Sequence, residues 1–190
     1  PSERALHRGT RGEEVIERVG ASATEGCVMT EALAELFDVL HDGDIVEHSF
    51  VGGVLKLKIE IKYLAERVRP EYRFFFLELT GVRDLLFQAW MLPPSEAAVI
   101  TSTDDIFRVE IQILSATWSE AEGTVTVVLD QYSRKTTFAG GQLVFRADGF
   151  SVRDEAGAAI SLEALSAIAT SYWDEFAERA EMRNRQAPKS

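Results

Sequence analysis

The run Leu55-Lys56-Leu57-Lys58-Ile59-Glu60-Ile61-Lys62-Tyr63 puts an apolar side chain at every second position and a charge at each one between. Side chains alternate across a β-strand, so this order makes a strand with one buried and one wet face. A helix would scatter the same residues around its circumference. A chain holding such a ribbon must supply a sheet for it to pair with and a layer to cover its apolar side.

The surrounding sequence supplies further strands. Residues 45–51 read as one, with Gly52-Gly53 as the turn that follows. Residues 72–79 carry Phe75, Leu77 and Leu79 on one side, and Phe74, Phe76 and Glu78 on the other, so this strand is central or helix-covered. Residues 65–70 form a charged connection, 82–92 fit either a strand or a short helix, and Pro93-Pro94-Ser95 is a firm break. A second half starts near Asp104, where Phe107, Val109, Ile111 and Ile113 alternate with polar residues. Strands over 124–130, 142–147 and 150–153 follow, with turns at 120–123, Gly140-Gly141 and 154–159. The links are of hairpin length and favour antiparallel pairing. Residues 41–92 and 104–154 share one rhythm of strand, turn, strand, link, strand and glycine. A degenerate duplication gives that rhythm, and so does any antiparallel meander.

Helices flank the strands. Val15, Ile16 and Val19 suit a short helix closed by Gly20, after a flexible arm over 1–12. Thr30 is a good N-cap for a second helix, with Leu33, Leu36, Phe37 and Leu40 on one face. Near the C-terminus Ser161 caps a helix whose Leu162, Leu165, Ile168, Ala169, Tyr172, Trp173 and Phe176 recur at three and four, ahead of a frayed tail over 186–190. The fold class is therefore α+β: an antiparallel sheet system of two similar halves, with N-terminal and C-terminal helices, in a single domain over 13–185.

The chain of 190 residues holds 31 acidic and 20 basic side chains, a net charge of −11. The acidity is diffuse. It argues against nucleic acid, whose phosphates it repels, and favours a basic protein partner. No apolar stretch is long enough for a transmembrane helix, and the first residues lack the apolar core of a signal peptide, so a cytoplasmic protein is expected. The single cysteine, Cys27, excludes an intrachain disulfide and reads as a buried thiol.

Chemistry is sparse. His41 and His48 with Asp42 or Asp44 make a conceivable two-histidine, one-carboxylate metal site, but the same residues suit a polar turn. Glu78 converging with His48 is the acid–base pair a hydrolase-like pocket requires. Nucleophile-elbow and phosphate-loop patterns are absent. Lys56, Lys58 and Lys62 suit a salt-bridged sheet face. An aromatic-lined cavity near Phe74, Phe76 or Trp90 suits a small ligand, and an exposed Trp118 or Tyr132 beside a hairpin suits a protein interface. The residues to follow are thus His41, Asp42, His48, Phe74, Phe76, Glu78, Trp90, Trp118 and Tyr132, with no cofactor expected.

The order His41-Asp42-Gly43-Asp44-Ile45, Gly53-Val54-Leu55-Lys56-Leu57-Lys58-Ile59 and Phe76-Leu77-Glu78-Leu79-Thr80-Gly81-Val82 resembles small β-rich bacterial families with an early His-Asp turn, found among uncharacterised and toxin-immunity-like proteins. The likeness covers 41–92, with a vaguer echo at 104–154, and leaves out the terminal helices and the double proline. It implies a β fold and binding without catalysis, and it supplies no catalytic residue to carry over. The expected function is a non-enzymatic protein-binding role, immunity-like, towards a basic protein. The alternative is a small-ligand binder or hydrolase-like enzyme with its pocket in the sheet.

Overall fold

The computed structural model describes residues 29–93, 98–133 and 136–186. The flexible arm, the helix expected near Val15, Cys27 and the end of the C-terminal tail lie outside the described residues. Helix α1 (29–39) is followed by β1 (Asp44–Val51), β2 (Val54–Glu60), α2 (Lys62–Val68), β3 (Phe74–Thr80), β4 (Arg83–Met91) and β5 (Ala98–Ile100). Then come α3 (Thr103–Ile106), β6 (Ile111–Ser119), β7 (Thr124–Asp130), β8 (Phe138–Arg146), β9 (Gly149–Arg153), β10 (Ala159–Ile160) and α4 (Leu162–Gln186).

The ten strands form one antiparallel sheet in the order β10-β9-β3-β2-β1-β6-β7-β8-β4-β5. This order is unchanged in kind when the two halves are exchanged. Strands β1-β2-β3 make one meander and β6-β7-β8 another. The strand after each meander crosses to the far edge of the other: β4 pairs with β8, and β9 with β3. The runs at 41–92 and 104–154 thus trace the same path, with an exchanged fourth strand. A bulge interrupts each inner strand near the same place, between Ile45 and Glu47 in β1 and between Ile113 and Ser115 in β6.

The halves meet along a short seam. Asp44 pairs with Gln112 and Ile45 with Ile111, and main-chain bonds from Asp42 to Ile113 and from Ile113 to Gly43 extend it slightly. Since β1 and β6 run antiparallel and touch only near their starts, the rest of each strand projects past the other. Beside the projecting part of β1 sits α3, where His48 Nε2 lies 3.1 Å from Asp104 Oδ1. Beside the projecting part of β6 sits α1.

The core lies on one face. Leu55, Leu57 and Ile59 of β2 and Phe75, Leu77 and Leu79 of β3 are buried together with Val125, Val127, Leu143 and Phe145 of the second half. Burial of each such side chain contributes roughly 1.5–3 kcal/mol. Leu33, Leu36, Phe37 and Leu40 at and just beyond α1 cover them, the Phe37 ring meeting Phe145 edge-on at 6.0 Å, and Leu165 and Ala169 of α4 add to the cover.

Several local expectations are corrected. The alternating strand stops at Glu60, and Lys62 and Tyr63 belong to α2, in the stretch expected as a strand end and a charged connection. Ile61, Leu64, Ala65 and Val68 hold helical spacing, with Leu64 and Ala65 both buried, so helix packing overrides the preceding rhythm. The strand expected to include Phe107 begins only at Ile111. Ahead of it Ser102 Oγ accepts the Asp105 N–H at 3.3 Å and caps α3, and Ile106 and Phe107 are buried in succession, which a strand with one buried face forbids. Gly140 and Gly141 lie inside β8 and form no turn. A Cβ on Gly141 would stand 2.6 Å from the Phe87 ring and run into the Gln88 carbonyl, so glycine there admits β4. The undecided run over 82–92 is β4.

Candidate functional site

Helix α1 presents Glu31, Glu35 and Asp38 at spacings of four and three, on the side away from Leu33, Leu36 and Phe37. The same apolar stripe that seats α1 on the sheet therefore aims an acidic stripe outward, along the projecting part of β6. Helix α4 closes the far side with Ser166, Thr170, Trp173 and Asp174. Between the two helices and Ala116, Thr117 and Trp118 of β6 lies a groove of about 900 Å³. Among the described residues, four carboxylates line it (Glu31, Glu35, Asp38 and Asp174), with two indoles, Trp118 and Trp173, and no lysine, arginine or histidine.

Its walls are fixed by bonds that cross between elements. The Asp38 carboxylate accepts the Ala116 N–H at 2.6 Å, and Ser166 Oγ donates to Glu35 Oε1 at 3.0 Å, joining α4 to α1. Trp173 is held by an aromatic cluster: His41 stacks on it at 5.0 Å and Tyr63 meets it edge-on at 5.7 Å. Tyr172 stacks on Tyr63 at 4.4 Å, and the Tyr63 hydroxyl donates to the His41 carbonyl at 3.0 Å. Burial pushes the Tyr63 hydroxyl well above its usual range, so it stays a donor. Arg67 clasps Glu175 at 2.6 and 2.7 Å, tying α2 to α4, and this bond holds the Glu175 carboxyl below its ordinary value. Trp173 Nε1 is shut off from solvent without an acceptor among the described residues.

Of the residues singled out in the sequence, Trp118 lies in the groove and His41 braces it from behind. Asp42 shares the turn with His41, its carboxylate 3.6 Å from His41 Nε2, while His41 Nδ1–H donates to the Asp38 carbonyl at 3.0 Å. The His-Asp pair thus closes the α1–β1 turn. Among the described residues no three of His, Cys, Asp and Glu are placed to hold a metal ion.

The strand register turns His48 and Glu78 to opposite sides, although both residues border one depression in the sheet. His48 pairs with Leu57, so its side chain is on the core side, 5.1 Å from the Phe107 ring; Glu78 pairs with Lys56 on the opposite face. A smaller depression of about 460 Å³ there is lined by His48, Lys56, Lys58, Phe76, Glu78 and Arg153, among others. Its cations are engaged: Lys56 with Glu78 at 3.0 Å, Lys58 with Glu47 at 2.7 Å and over the Phe74 ring at 4.4 Å, and Arg153 with the Gly157 carbonyl at 3.1 Å. Lys62 of the expected strip is on α2, 3.5 Å from Glu66.

Trp90 projects from the corresponding face of the other half, 42% exposed. Tyr132 is 76% exposed beyond β7 and donates to Gln112 Oε1 at 3.3 Å. Glu31, Glu35, Asp38, Trp173 and Asp174 were missed as site residues. The spacing of Glu31, Glu35 and Asp38 was the available signal, and nothing local ties that stripe to β6 across the sheet.

No protein-family model, no curated protein and no solved structure matches the chain. No helix among the described residues is long and apolar enough to cross a membrane.

Proposed function

We propose that the chain is a non-enzymatic binding protein whose groove takes a cationic segment of a basic protein, the role expected of an immunity-like protein. The supporting observation is the lining: four carboxylates and two tryptophans, with no cation among the described residues there. Complementary charge steers encounter and selects against acidic partners, and tryptophan faces take up lysine and arginine heads. The hydrolase-like alternative needs convergent ionisable groups, and the strand register turns His48 and Glu78 to opposite sides; the small-ligand alternative would use the depression of about 460 Å³ beside Phe76.

The test is calorimetric titration of the full chain with an acetylated octapeptide alternating lysine and valine, at low and high salt. The expected result is binding that weakens as salt rises, and that falls at least about tenfold in a Glu31→Gln, Glu35→Gln, Asp174→Asn variant of unchanged circular dichroism. Equal binding by that variant, or none by the wild-type chain, would overturn the proposal.

A further inference from the structure

Among the described residues, strand β6 has a free edge inside the groove. Its partner on one side is β7, paired from Gln112 to Ser119. On the other side β1 accompanies it only as far as Ile113. Main-chain groups of an antiparallel strand alternate between its two edges. The Ala116 N–H points away from β7, since it reaches Asp38, and the next residue of that parity is Trp118. The Ala116 carbonyl and both main-chain groups of Trp118 therefore face the groove, where no strand among the described residues pairs with them.

We infer that the cationic segment enters as an extended strand added to the β6 edge at Ala116–Trp118. This rests on the proposed binding role and specifies its geometry. The Asp38 carboxylate now occupies the Ala116 N–H as a plug. An incoming strand carbonyl takes its place, and the released carboxylate then faces the cations of the strand. Successive side chains of a strand point to opposite sides. A segment alternating lysine or arginine with a β-branched residue thus sets one set against Glu31, Glu35 and Asp174 and keeps the other for the sheet.

The test uses the full chain, labelled for amide exchange, and three probes: the lysine–valine octapeptide, its versions N-methylated at one residue at a time, and an alanine–lysine helical peptide of the same charge. Exchange of the Trp118 amide is expected to slow by at least about tenfold with the octapeptide. N-methylation should weaken binding by about tenfold at every second residue and little at the residues between. The helical peptide should leave the Trp118 amide unprotected.

If N-methylated and helical peptides bind as well as the octapeptide, strand addition is wrong while charge-directed binding stands. If no basic peptide binds, both readings fail. If the Trp118 amide is already protected without peptide, the edge is taken by the chain itself or by a second copy, and strand addition by a partner is overturned.

Discussion

Asp38 and Ala116 are 78 residues apart in the chain, yet the carboxylate of the first accepts the main-chain N–H of the second at 2.6 Å. The bond crosses from the helix that leads the first half to the inner strand of the second. A carboxylate in the last turn of a helix opposes the helix dipole, so its presence there is unfavourable to α1 alone. Asp38→Ala distinguishes the two effects by sign. Loss of the acceptor leaves a part-buried N–H unpaired and should lower stability by about 1–2 kcal/mol in urea denaturation. Relief of the dipole alone would raise it. Asp38→Asn keeps an acceptor oxygen and should lose less than Asp38→Ala.

Gly141 stands between β7 and β4, opposite Leu129 on one side and Ala89 on the other. Gly141→Ala puts a methyl against the Phe87 ring and the Gln88 carbonyl, and neither neighbour has room to retreat. Overpacking of this kind costs about 1–3 kcal/mol. A melting temperature equal to the wild-type value would show that β4 and β8 do not pack as described.

Trp173 joins the groove to the aromatic cluster behind it. Trp173→Ala removes its ring contacts with His41, Tyr63, Tyr172 and Phe176. The side chain is partly exposed, so the loss should be about 2–3 kcal/mol, below the values for a fully buried tryptophan. Trp173→Phe should recover part of it. Guanidinium melts followed at Trp118 and Trp90 fluorescence report both variants.

Asp44 begins β1 and its carboxyl is pushed above the usual value, first by partial burial and then by Glu110, Glu60 and Asp42. A raised carboxyl pKa means that the folded state prefers the proton more than the unfolded state does. Its ionisation therefore opposes folding above the raised value, and this penalty disappears as pH falls below the ordinary range of an aspartate carboxyl. Asp44→Asn should melt at a higher temperature than wild type at pH 7, with the difference vanishing on acidification. A difference that stays constant across that range would contradict the assignment.

The strands whose pattern repeats locally were legible from the residues alone. Leu55, Leu57 and Ile59 declare their shared face because period two is written into consecutive residues. The apolar stripes of α1 and α4 were equally open. The short elements were not, since α3 rests on a single Ser102 cap and α2 on four residues that overlap the end of an alternating run. The groove was the least legible part. Its carboxylates come from α1 and α4 and its strand edge from β6, and only the stagger of the two halves brings them together. Trp118 was singled out for its size beside a hairpin, whereas Trp173 read as one member of a core stripe.

A ribosome delivers this chain from its N-terminus at about 5–20 residues per second. The first meander can form early, but β3 lacks its second neighbour until residues 149–153 have emerged, and β4 lacks its long neighbour until 138–146 have done so. The nascent chain therefore carries two unmated borders until both are closed within the short interval that delivers residues 138–153. Deletions that stop translation before Arg153 should leave a product that sticks to itself, whereas loss of the last residues of α4 should not.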